Sequence, residues 1–224
     1  MALINSTAIP SGATGYEIEQ SLRFDRASSS HLSFTPSSAG NRKTWTWSSW
    51  NKPCKYADYV SGSASGAGGI FSSYASGNNT VDLIFTADSG VGRLSFYDYV
   101  SGYRASLSSS RAFQDLSAWY HIMLVVDTTQ ATAANRVKLY VNGENIVDTL
   151  TTATYPSQNQ DLKINDNNVH YIGRGNGTYY SDSYMSEVHF IDGAAKAPAD
   201  FGETGDYGEW KPIEYSGSYG TNGF

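Results

Sequence analysis

Two runs of alternating side chains lie close together in the middle of the chain. Between positions 119 and 144 the sequence reads WYHIMLVVD, a polar loop TTQATAAN, and then RVKLYVNGE. In the first run Tyr120, Ile122, Leu124 and Val126 share one side of a strand, and His121, Met123, Val125 and Asp127 share the other. In the second, Val137, Leu139 and Val141 oppose Lys138, Tyr140 and Asn142. β-Branched and aromatic residues at a period of two suit a pleated, half-buried surface. Asn142-Gly143 supplies the positive φ angles of a tight hairpin turn. The stretch therefore predicts two long neighbouring strands, with a third returning after Gly143.

The rest of the chain repeats this grammar in shorter units. SLRFD, HLSF, KTWTWSSWNK, GIFSSYA, TVDLIFT, GRLSFYDY, YRASLSS, VHYIGR and YMSEVHFID are strand-like, and a weaker segment lies near Asp161–Ile164. Turns rich in Ser, Gly, Asn and Asp separate them, and no helical period or fixed-length repeat intervenes. That combination predicts an all-β sandwich or barrel. Residues 1–20 read as an N-terminal arm, 21–193 as the sandwich and 194–224 as an irregular C-terminal tail. The arm is either a disordered start or a segment that docks on a neighbouring subunit. Ser61–Gly69 is read as a long loop within one domain, because the strands on either side are too short to close separate cores. Ala197–Gly202 suggests a single helical turn, and Trp210 and Tyr215 are candidates to pin the tail.

Composition excludes several roles. The formal net charge is -6 and no cluster of Lys and Arg is visible, so nucleic acid is not an expected partner. Cys54 is alone, which rules out an internal disulfide. No apolar run has membrane-spanning length, so membrane insertion is not expected. The first ten residues lack a basic region followed by an apolar core, so a cleaved secretory signal is not expected either.

The order of SLRFD, TWTWSSW, WYHIMLVVD, RVKLYVNGE, YIGR and YMSEVHFID resembles a concanavalin A-like lectin/glucanase domain of the laminin-G and pentraxin type. TPSSAGNRKTWTWS, AWYHIMLVVDTTQATAANRVKLYVNG and FIDGAAKAPADFGE with the closing WKP…YSGSYGTNGF resemble a version found in virion proteins of tailed bacteriophages. The resemblance covers nearly the whole chain. It implies a single antiparallel jelly-roll β sandwich. In such relatives the sequence often continues beyond TNGF; here it stops at Phe224, so the chain is either shorter than they are or a portion of a longer one. The resemblance also makes the Trp that ends the TWTWSSW strand a core residue. Trp50 would then need a bulge near Ser48-Ser49, since Trp45 and Trp47 share the opposite parity. The expected core comprises Leu22, Phe24, Trp50, Phe71, Leu83, Phe85, Leu94, Phe96, Trp119, Ile122, Leu124, Val126, Val137, Leu139, Val141, Ile172, Val188 and Phe190.

Catalysis is not expected. Glucanases of this superfamily carry a Glu-x-Asp-x-Glu strand, because retaining hydrolysis needs two carboxylates about 5–5.5 Å apart. This sequence has no such motif, and Glu17 and Glu19 alternate in the arm without a third acid. The four His are scattered. The pentraxin and laminin-G resemblance implies a Ca²⁺ site at one end of the sandwich, where hard oxygen ligands would gather. The corresponding loops hold Asn78, Asn79, Asn176 and Asp182, a set rich in amides and poor in carboxylates. Ca²⁺ is therefore the weaker expectation and a metal site is left unassigned. A sugar surface fits better: Tyr179 and Tyr180 offer aromatic faces, with Asn176 and Asp182 as hydrogen-bond partners and Tyr97, Tyr99 and Tyr103 nearby. Asn78, Asn79, Asn176, Tyr179, Tyr180 and Asp182 are the candidate ligand-binding residues.

The expectation is a non-enzymatic bacteriophage virion protein, made in the host cytoplasm, in a tail fibre or as a head decoration. It would present a lectin-like domain to host-surface glycan as a homo-oligomer, held to other virion proteins through its arm. The alternatives are a capsid or tail cement protein without ligand and, as a minor reading, a glycoside hydrolase.

Overall fold

The computed structural model describes residues 16–56, 68–88, 91–177 and 179–224. Its strands are β1 (Leu22–Phe24), β2 (Leu32–Phe34), β3 (Thr44–Pro53), β4 (Gly68–Ser76), β5 (Asn79–Asp88), β6 (Val91–Val100) and β7 (Tyr103–Ser109). There follow β8 (Tyr120–Asp127), β9 (Val137–Val141), β10 (Glu144–Asn145), β11 (Leu150–Thr154), β12 (Val169–Ile172), β13 (Ser183–Asp192), β14 (Gly202–Thr204) and β15 (Trp210–Pro212). Two antiparallel sheets form the jelly-roll sandwich. One has six strands in the order β1-β13-β3-β8-β9-β10, and the other has seven in the order β11-β7-β6-β5-β4-β12-β2. Residues 1–15 of the expected arm and most of the Ser61–Gly69 loop lie outside the described residues.

The central hairpin forms as its alternation predicts. Ile122, Leu124 and Val126 stand opposite Val141, Leu139 and Val137, and all six are buried between the sheets. Asn142 and Gly143 take φ of 50° and 78°, the left-handed pair that matches the twist of the flanking strands. The returning strand is only two residues long. Ile146 then enters the core, and a 3₁₀ turn at Val147–Thr149 carries the chain into the seven-stranded sheet as β11.

Between the sheets lie Trp45, Trp47, Phe24, Phe71, Phe96, Phe190 and the inward-facing aliphatic residues of β5 to β9. The indole of Trp47 stacks on Phe71 at 4.1 Å. Several expectations need correction. Trp50 is buried, at 7% exposure, but on the outer side of its sheet and not between the sheets, because β3 and β8 run in unbroken register from Thr44 to Asn51 and Trp50 keeps the outward parity of Thr46 and Ser48. The irregularity falls instead in β13, between Ser186 and His189, where Glu187 has φ of 48°. Trp119 is half-buried outside the core, and Leu22 is 48% exposed, on a short edge strand. Val188 packs against the core from a partly buried position. Asp161–Ile164 is not a strand. Leu162 and Ile164 plug the core from a loop whose backbone bonds to Arg42 and to the Asp98 carboxylate.

The tail covers the outer face of the six-stranded sheet. Met123, Val125 and Ile191 on that face pack with Phe201 and Tyr215 in a second apolar cluster. The expected helical turn is a 3₁₀ turn at Pro198–Asp200, and β14 pairs with β15. Trp210 stacks on His121 at 6.0 Å and donates its indole N–H to His121 Nδ1 at 3.1 Å. An indole nitrogen is only a donor, so Nδ1 accepts and the proton sits on Nε2, which bonds to Ser48 Oγ at 2.8 Å. The chain ends by pairing Phe224 with Phe190 through two backbone hydrogen bonds. Among the described residues no helix is long and apolar enough to cross a membrane.

Candidate functional site

The register of the seven-stranded sheet decides which side chains reach its outer face. Ile172, Phe71, Leu83, Phe96 and Leu107 form a row across neighbouring strands, and all are core residues. The adjacent row must point the other way. It runs Ser33, Tyr171, Ser72, Asp82, Tyr97, Ser106. The next outward row runs Tyr74, Thr80, Tyr99, Tyr103. A polar face studded with tyrosines results. Tyr74, Tyr97, Tyr99 and Tyr171 are half-buried and Tyr103 is 62% exposed. Tyr103 packs edge-on against Tyr99 at 5.1 Å and Tyr97 at 6.2 Å, which fixes three rings relative to one another.

Asp82 is fully buried on this nominally outer face because the loop after β12 lies over it. Gly173, with φ of 78°, turns the chain, and its amide bonds to the Ile70 carbonyl at 3.0 Å. The next residues then cross β4 so closely that a Cβ on Gly69 would lie 1.9 Å from the Gly175 nitrogen. Gly69 and Gly175 both donate their amides to the Tyr179 carbonyl, and Ser72 Oγ donates to the Arg174 carbonyl at 2.7 Å. The Asn176 amide donates to Asp82 Oδ1 at 2.5 Å, Thr80 Oγ1 donates to Oδ2 at 2.9 Å, and the Tyr97 hydroxyl donates a further bond. Burial raises the Asp82 carboxyl to about 6 against the opposing pull of these donors. Burial, and then the neighbouring Asp82 carboxylate, push the Tyr97 hydroxyl upward. One carboxylate thus ties the loop to the tyrosine row.

Beyond the loop the face ends in a second aromatic group. The Arg174 guanidinium lies 4.4 Å from the centre of the Tyr171 ring and 5.3 Å from that of Tyr180. His31 contacts the same two rings at 5.5 and 5.7 Å. Arg174 Nε donates to the Gly177 carbonyl at 3.0 Å, so its plane is held.

The six candidate residues do not share one site. Asn176 and Tyr179 join the Asp82–Tyr97 group, and Tyr180 joins Tyr171, Arg174 and His31. Asp182 is ion-paired with Arg23 at the β1–β13 side of the sandwich. Asn78 is exposed in the β4–β5 turn, where its carbonyl accepts the Ser101 amide beside the β6–β7 turn. Asn79 begins β5, three residues and roughly 10 Å along the strand from Asp82. With its carboxylate taken by Arg23 and the two Asn on another turn, this set does not fit a Ca²⁺ centre. Among the described residues no three His, Cys, Asp or Glu side chains come together. Asp82, Tyr171, Arg174 and His31 are the residues the sequence reading missed. The signal was an acid and a Thr at one parity in the otherwise apolar TVDLIFT.

Comparison with known proteins places the fold. A sequence model of the family described as "concanavalin A-like lectin/glucanases superfamily" matches residues 26–199. No curated protein matches the chain. Among solved structures it is similar to the heptameric SAP-like pentraxin of Limulus polyphemus, at 16% identity and a TM-score of 0.50, over 81% of this chain and 76% of that one. Domain 4 of the extracellular arabinanase AbnA from Geobacillus stearothermophilus, solved with arabinotriose, gives 16% identity and a TM-score of 0.46, covering 70% of this chain and 64% of that one. The enzymatically active domain of tailspike protein 2 of bacteriophage CBA120 gives 13% and 0.49, covering 81% of this chain and 26% of that one. At these identities the likeness is one of fold.

Proposed function

The chain belongs to the concanavalin A-like lectin/glucanase superfamily, and from that premise we propose that it is a non-enzymatic glycan-binding module of a bacteriophage particle. Its binding surface is the outer face of the seven-stranded sheet. The observation that carries this reading is the pair of outward rows in which Tyr97, Tyr99, Tyr103 and Tyr171 flank a loop anchored on Asp82. Sugar rings present C–H faces to aromatic side chains and hydroxyls to polar neighbours. Here Tyr103 and Tyr180 offer the aromatic faces, and Arg174, His31 and the tyrosine hydroxyls offer donors and acceptors. The rings are braced by one another and by the loop, so little conformational entropy is lost on binding.

The non-enzymatic part of the proposal rests on how three buried or half-buried carboxylates are used. Asp82 takes three donors, Asp98 is buried against Arg104 and the Lys163 amide, and Asp182 holds Arg23. Each acid is engaged in holding structure, whereas glycoside cleavage needs a facing pair free to exchange protons. The virion part rests on the sequence resemblance of the TWTWS, WYHIMLVVD and tail segments. Several copies on one particle would raise a weak single-site affinity by avidity.

An array of bacterial surface glycans probed with the whole chain tests the reading. Retention of a defined oligosaccharide class, without release of smaller sugars, is the expected outcome. Failure to retain any glycan would favour the cement alternative, and release of sugar would favour a hydrolase.

A further inference from the structure

A concave site lies on the opposite sheet, away from the tyrosine face. Trp50, Trp119 and Trp210 line a groove with a cavity volume of about 510 Å³, and Glu17, Glu19 and Lys211 stand along it. That volume lies in the small-molecule range of roughly 300–1,000 Å³. Trp50 is there because β3 keeps its parity and turns this ring to the outer side, where its neighbours leave it 7% exposed at the groove floor. It packs at 5.3 Å from His121, on whose ring Trp210 stacks, so one buried imidazole braces two indoles. Trp119 precedes β8 on the same side and is half-buried. The opposite wall is residues 16–21, fixed by the Ser186 hydroxyl donating to the Gln20 carbonyl.

The charge of the groove selects its ligand. Glu17 and Glu19 alternate along the wall, and both are exposed. Lys211 does not neutralise them, because its ammonium pairs with Glu203 at 3.1 Å. Indole faces attract cations through the ring quadrupole, and carboxylates attract them directly. A guanidinium also stacks on an aromatic plane while bonding a carboxylate edge-on. We propose that this groove binds an organic cation, the guanidinium or alkylammonium end of a basic side chain, held between the tryptophan faces and the Glu17–Glu19 pair. The proposal stands independently of glycan binding on the other sheet.

The test is a titration of the whole chain with Nα-acetyl-arginine amide, followed by the indole N–H resonances in two-dimensional NMR. The expected result is movement of the Trp50, Trp119 and Trp210 signals, with those of core Trp45 and Trp47 fixed. The neutral isostere Nα-acetyl-citrulline amide should move them much less. The double variant Glu17→Gln, Glu19→Gln changes exposed positions and keeps the indoles, and it should weaken the arginine response about fivefold. The proposal is overturned by equal responses to arginine and citrulline amides, by an unaltered response in the double variant, or by saturation with a neutral trisaccharide in place of the cation.

Discussion

Gly69 shows how one residue can decide whether the candidate face exists. The loop from Arg174 to Tyr179 reaches Asp82 by passing directly over this position, where a Cβ would meet the Gly175 nitrogen at 1.9 Å and the Arg174 carbonyl carbon at 2.1 Å. Backbone, unlike the end of a long side chain, cannot step aside. Gly69→Ala should therefore lift the loop, cost about 1–3 kcal/mol in urea unfolding, and abolish glycan retention. Gly77→Ala is the control. Its Cβ would meet nothing within 4 Å, and the change should stay within about 0.5 kcal/mol. Neither outcome was legible in the sequence, where Gly69 reads as the last residue of a Ser/Gly-rich loop. Trp50 teaches the reverse. Its parity in TWTWSSW was readable and correct, and only the resemblance to relatives moved it into the core. Asp82 was visible as a misfit in its strand, but its partner Asn176 is 94 residues away, and only the fold brings them together.

At the scale of elements, the alternating runs gave up their structure readily, because a period of two over five or more residues has few other solutions. The tail did not. β14 and β15 are three residues each, too short for a period, and what holds them is a contact with a distant strand. Trp210 is the fastening. It stacks on His121, supplies the proton that His121 Nδ1 accepts, and fills the space above Gly143 and Gly202. Trp210→Ala removes the packing and leaves a buried nitrogen without its donor. The expected loss is about 2–4 kcal/mol, read as a lowered urea midpoint, with the β-sheet circular dichroism signal retained. The Asp161–Ile164 segment failed as a strand for a related reason. Its apolar residues serve as plugs, and its backbone bonds are taken by Arg42 and Asp98 instead of a ladder.

The whole molecule should respond to acid through its buried imidazoles. Burial lowers His121 to about 3 and His170 to about 4, and it also lowers His189. A histidine whose folded pKa is depressed binds fewer protons folded than unfolded, so its contribution to stability is intact above the ordinary value near 6.5 and is lost progressively as pH falls toward the folded value. Asp82, raised to about 6, acts in the opposite sense, since its contribution is full below the ordinary carboxylate value and is lost as pH rises toward 6. Asp98, also raised by burial, shares that sign. The two strongly shifted histidines move by more than Asp82 does. Urea midpoints should therefore fall between pH 6.5 and pH 4, and His170→Phe should flatten that slope. A profile that rises toward acid would reverse the assignment of which groups dominate.

The architecture itself was readable from strand order, because a sandwich is the compact way to bury so many short alternating segments. The binding face was not, since it depends on which rows point outward and where one loop lands. Its direct test is the affinity of the oligosaccharide retained on the array, measured by calorimetry for three single variants. Tyr103→Ala and Tyr180→Ala should each weaken binding about tenfold, ~1.4 kcal/mol, while Tyr207→Ala, 93% exposed in the two-stranded β14–β15 hairpin of the tail, should leave it unchanged. Undiminished affinity in both of the first two variants would contradict the placement of the sugar on the tyrosine face.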